Sequence, residues 1–95
     1  MDERTVERYL VRRVKHLGGE IRKVKWIGRR HAPDRRVMLP EFCFWAEVKR
    51  PGERPTDNQA REHKRMRRAG ERVIVIDSIA QVDEVLALAV AMGQA

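Results

Sequence analysis

The chain has 95 residues, 37% of them charged and 42% apolar, and its 21 Lys plus Arg against 14 acids give a formal charge of +7. This length fits one domain, residues 1–95, with a modest core that further buried surface in an oligomer would reinforce. The basic surplus favours a polyanionic partner, nucleic acid first, and leaves ribosomal, chromatin-like and nuclease readings open.

Val6, Leu10, Val14 and Leu17 recur at helical spacing, with Asp2 or Thr5 placed to cap the helix and Gly18-Gly19 to stop it. Residues 20–27, EIRKVKWI, alternate apolar and basic side chains and predict a strand, and a basic turn follows from Gly28 to Pro33. RRVML at 35–39 and the apolar run at 42–49 predict a hairpin about Pro40-Glu41. Pro51-Gly52 and Pro55 mark a loop, after which Thr56 or Asp57 caps a polar surface helix of about 13 residues ending at Gly70. Ala60, His63 and Met66-Arg67 give that helix a thin inward stripe. RVIVI at 72–76 predicts a strand buried on both faces. A last helix, capped by Asp77 or Ser78, carries Val82, Val85, Leu86, Ala89 and Met92 in register.

The expected order is α-β-β-β-α-β-α, an α/β sandwich with a mixed central sheet. The helical crossover makes the third and fourth strands parallel. The single cysteine, Cys43, excludes an internal disulfide and any cysteine-based zinc site, and is expected to be a buried, inert thiol. No apolar run approaches the roughly 18 residues of a membrane span. The charged N-terminus has no hydrophobic signal region, so the expected location is the cytoplasm.

CFWAEVK at 43–49 ends an apolar strand in a carboxylate and an ammonium. Alternation puts Glu47 and Lys49 on one face, and the hairpin brings Asp34 beside Glu47. Two carboxylates so close are costly unless a cation compensates. Mg²⁺ takes one or two carboxylates with water and a phosphate oxygen, and the Val48 carbonyl offers one more hard ligand. Lys49 then orients water or offsets developing charge, a geometry suited to phosphodiester hydrolysis. The plainer alternative is a strand-end salt bridge in a basic binding domain, and the residues alone leave both open.

Pro33-Asp34 and Glu47-Val48-Lys49 resemble the two motifs of the PD-(D/E)xK nuclease superfamily. More narrowly, the chain resembles the stand-alone virus-type replication-repair nucleases, the VRR-NUC family of phages and bacteria. The matching pieces are VERYLVRRVKHLGG, K-x-x-x-x-G-R-R-x-x-P-D, E-x-K-R-P-G, Thr56-x-x-Gln59 and G-x-R-V-x-V-I-D-S, in order along the chain. His31-Ala32 stand where the family usually has a glycine and a small apolar residue.

The resemblance implies a restriction-endonuclease-like fold and a Mg²⁺- or Mn²⁺-dependent DNA endonuclease acting on branched DNA such as Holliday junctions. It implies Asp34 and Glu47 as metal ligands, Lys49 as the catalytic lysine, and Gln59 as a supporting or phosphate-contacting residue. Glu7 is the implied first-helix acid, with Glu3, one turn earlier, as the alternative. It also implies a homodimer in the cytoplasm of a phage-infected or bacterial cell. Val82, Val85, Leu86, Ala89 and Met92, or Phe42 and Phe44, are the expected dimer patches.

Arg29 and Arg30, with Lys25, Arg35 and Arg50 around the same constellation, are the candidates for the DNA backbone. His16, His31 and His63 share no ligand spacing and are expected at the surface or facing DNA. Trp26 and Trp45 are expected in the core, with Trp45 beneath the site.

Overall fold

A computed structural model describes residues 1–93. Its elements are α1 (Glu3–His16), β1 (Glu20–Lys23), β2 (Arg35–Leu39), β3 (Phe42–Val48), α2 (Asp57–Arg68), β4 (Val73–Ile76) and α3 (Ile79–Gly93). The expected element order therefore holds. The sheet runs β1-β2-β3-β4, antiparallel across its first two pairings and parallel between β3 and β4. Among the described residues, no helix is long and apolar enough to cross a membrane.

The caps follow from side chains that satisfy the unpaired amides of a first helical turn. Asp2 accepts from the Thr5 amide at 2.9 Å, and Thr56 forms a capping box with Gln59. Ser78 accepts from the Gln81 amide at 3.1 Å at the start of α3. The turn after α1 brings Gly19 so close to β2 that a Cβ there would lie 2.6 Å from Leu39 Cδ2 and 2.8 Å from the Met38 carbonyl.

Alternation along β3 sends Phe42, Phe44, Ala46 and Val48 into the core with Val6, Leu10 and Val14 of α1 and Val82, Leu86 and Ala89 of α3. Tyr9 donates to Asp83 at 2.7 Å and ties the two helices together. Both expected dimer patches are thus largely absorbed by the protomer's own core. Phe44 is fully buried, the buried α3 stripe is covered by α1 and the sheet, and only Met92 of that stripe stays exposed.

Three further expectations are corrected. The first strand stops at Lys23 rather than 27. Trp26 turns in to pack on Trp45, with ring centroids 5.0 Å apart, and Ile27 is left 94% exposed. Alternation there was the pattern of an anchored loop. β4 lies at the sheet edge, so Ile74 and Val75 are only half-buried, not covered on both faces. In α2, His63 faces inward as expected and Glu62 joins it, while Ala60 and Arg67 of the expected stripe are exposed.

Candidate active site

The hairpin register pairs Arg35 with Ala46, so the next positions along the two chains are Asp34 and Glu47. Their side chains line one cleft of about 370 Å³ together with Glu3, Glu7, Lys23, His31, Ala32, Val48 and Gln59. Four carboxylates in one small polar cleft cannot all ionise without compensation. Glu47 registers that cost: burial pushes its carboxyl up to about 7, Lys49 opposes the shift, and Asp34 and Glu3 add to it.

Lys49 is the first residue past β3, and its amide donates to the Ile76 carbonyl at 2.8 Å on the β4 side. Backbone alternation therefore turns the Val48 carbonyl to the opposite side, beyond the last registered residue of β2. Lys49 itself is only 8% exposed. Its ammonium lies 4.0 Å from Glu53, and Lys49 is not among the residues that line the cleft.

The two first-helix acids differ. Glu7 lines the cleft but is held by the guanidinium of Arg35, so both groups are drawn into one pair on the cleft wall. Arg35, expected on DNA, has this carboxylate as its partner. Glu3 lines the same cleft and enters none of the ion pairs among the described residues. Gln59 also lines the cleft, but its carboxamide oxygen accepts from the Thr56 amide at 3.0 Å. That leaves its NH₂ group to offer to a phosphate.

Of the basic candidates, Lys25 and Arg30 are exposed beside the cleft's loop. Arg50 is exposed and reaches Glu53 at 3.3 Å. Arg29 forms a two-pronged pair with Glu62, with contacts of 3.0 Å from Nε and 2.6 Å from Nη2. The pair raises the Arg29 guanidinium and lowers the Glu62 carboxyl. The pairing has a plain cause: Glu62 is buried, and a buried carboxylate must be paired.

His63 follows the inward stripe of α2 and not the expectation of a surface or DNA-facing histidine. It is 1% exposed, and its Nε2 lies 3.2 Å from Glu47 Oε1. Burial, then Arg67 and Lys49, holds the imidazole below its ordinary range. A neutral ring can donate from Nε2 to Glu47 when that carboxyl is ionised, or accept from it through the same nitrogen when it is protonated. A signal for this contact was present. The capping box fixes the phase of α2, and Gln59, Glu62, His63 and Met66 then share one face. His31 takes φ 68°, the left-handed backbone that glycine adopts freely.

The donor set suits a hard divalent cation. No three His, Cys, Asp or Glu side chains among the described residues converge as a ready-made cage. Mg²⁺ asks for less: one or two carboxylates, with water filling the remaining positions. Asp34, Glu47 and the outward Val48 carbonyl meet that demand, and a cation would replace the proton that burial favours on Glu47.

No family model matches the chain. It is 46% identical over 77 residues to a protein named "Putative nuclease p44" from Acyrthosiphon pisum secondary endosymbiont phage 1, covering 80% of this chain and 83% of that protein. It is also similar to a solved structure described as a VRR_NUC domain, with 38% identity and a TM-score of 0.82. That likeness covers 90% of this chain and 94% of the other.

Proposed function

Because this chain belongs to the VRR-NUC family of PD-(D/E)xK nucleases, we propose that it is a Mg²⁺- or Mn²⁺-dependent DNA endonuclease selective for branched DNA such as Holliday junctions. The observation that carries the metal-dependent reading is the meeting of Asp34 with a Glu47 whose carboxyl is pushed up to about 7. Asp34, Glu47 and the Val48 carbonyl would hold the ion. A divalent cation bound there supplies Lewis acidity for the phosphodiester and for its attacking water.

The chain's own groups do the rest. Lys49 sets a fixed positive charge behind Glu47, which favours that carboxylate's ionised form and offsets negative charge developing on the phosphate. The Gln59 NH₂ group faces the same cleft and can donate to a phosphate oxygen. Glu3 is the first-helix acid best placed to take a water proton or a second contact to the ion, since Arg35 neutralises Glu7. Lys25 and Arg30 flank the cleft and would neutralise the duplex backbone without reading sequence.

A four-way junction presents two equivalent strands, and a two-fold pair of protomers would set one cleft on each. Leu88 and Met92, one turn apart on α3, are exposed apolar side chains available to such a pairing. The test is a pair of variants, Asp34→Asn and Lys49→Ala. Each should keep DNA binding and the fold while losing metal-dependent cleavage. Cleavage by both at the wild-type rate would leave a basic DNA-binding module as the better reading.

A further inference from the structure

The two buried residues of α2 are consecutive: Glu62 reaches the segment that carries part of the cleft wall, and His63 reaches Glu47 on the cleft itself. Glu62 is 4% exposed and accepts from Arg29, 33 positions earlier, and from Arg65 at 2.9 Å. Arg29 lies in the segment joining β1 to Asp34. That segment is closed at its base by the Trp26 indole, which donates to the Pro33 carbonyl at 2.8 Å, and by the Val24 amide, which donates to the Asp34 carbonyl at 2.7 Å. Among the described residues, Arg29 makes the only side-chain hydrogen bonds that residues 27–32 send to the rest of the fold. Two of those loop residues, His31 and Ala32, line the cleft beside Asp34. His63, in turn, holds Glu47.

We propose that Glu62 and His63 form one positioning device, in which Glu62 latches the Asp34 loop through Arg29 while His63 orients the Glu47 carboxylate. A single turn of a rigid helix then references both halves of the cleft to the same point, so the separation of the two carboxylates does not depend on the loop's own stiffness. Arg29 acts through the loop and is a positioning residue; its planar two-pronged fork is what a lysine cannot supply. The cleft's role in metal binding rests on the nuclease reading above, whereas the latch itself does not.

The experiment uses the full chain without DNA and has two readouts: acrylamide quenching of tryptophan, since Trp26 lies in the latched segment, and Mn²⁺ affinity by calorimetry. Arg29→Met and Glu62→Gln should each increase quenching and weaken Mn²⁺ binding by about 10–100-fold, the usual cost of removing a group that orients a ligand. The double variant should be no worse than either single one, because both remove the same contact. His63→Leu should weaken Mn²⁺ without changing quenching, and His63→Gln, which keeps an N–H donor, should recover most of the affinity. If a variant loses its circular dichroism, Arg29→Lys replaces it, with the same expected outcome. Wild-type quenching and wild-type Mn²⁺ affinity in both Glu62→Gln and Arg29→Met would overturn the latch. Increased quenching in a protein that binds no Mn²⁺ would support the latch and count against the metal reading.

Discussion

Replacing Glu47 by glutamine should make the metal-free protein more stable at alkaline pH while ending cleavage. The shift from 4.5 to about 7 arises chiefly from burial, which penalises the charged form. At about 1.4 kcal/mol per pH unit, full ionisation of Glu47 costs the fold on the order of 3 kcal/mol. The folded-state value lies above the unfolded one, so the group does no harm below pH 4.5. Its cost grows as pH rises through the interval to 7 and levels off above it. Glutamine keeps the shape and a hydrogen bond to His63 but carries no charge. In EDTA at pH 8 the variant should therefore unfold at a higher urea concentration than wild type, and at pH 5 the two midpoints should converge. Mg²⁺ at pH 8 should stabilise wild type and leave the variant unmoved. A variant less stable than wild type at pH 8 in EDTA would refute the reasoning, because Lys49 and His63 would then outweigh the cost of burial.

Gly19→Ala should destabilise the fold by about 1–3 kcal/mol, the range for overpacking, because its methyl meets the Met38 carbonyl and Leu39; an unchanged urea midpoint would show that β2 gives way freely. Affinity for duplex DNA should fall steeply with salt, and Lys25→Ala with Arg30→Ala should reduce the salt slope by about 2 without changing sequence preference. A flat dependence would contradict a backbone-dominated interface. Light scattering at micromolar concentration should give twice the 11.1 kDa protomer mass, and Leu88→Glu should halve it; a wild-type mass of one protomer would remove the paired-site arrangement.

Local patterns carried most of the architecture. The Val6-Leu10-Val14 stripe, the Thr56 cap and the hairpin about Pro40-Glu41 each follow from short-range rules, and the structure keeps them all. The hairpin register was legible too, and with it the approach of Asp34 to Glu47. What the sequence hid was where charges find partners. Arg29 and Arg35 read as free basic groups because Glu62 and Glu7 lie 33 and 28 positions away, and only the fold brings them together. The stripe of α2 pointed His63 inward, but its contact with Glu47 was hidden because the partner lies on a strand that only the fold brings alongside. The first strand was overextended because Trp26 packs on Trp45 from a loop, a tertiary contact that imitates strand alternation.

Whether Asp34, Glu47 and Lys49 form a metal-dependent phosphodiesterase centre is decided by cleavage itself. The most direct measurement is cleavage of linear, flapped and four-way DNA in parallel, in Mg²⁺ and in EDTA, by wild type and Lys49→Ala. The account predicts incision of the four-way substrate by wild type in Mg²⁺ alone, with none by Lys49→Ala at equal DNA occupancy. Wild-type incision that persists in EDTA, or Lys49→Ala cutting at the wild-type rate, would contradict it.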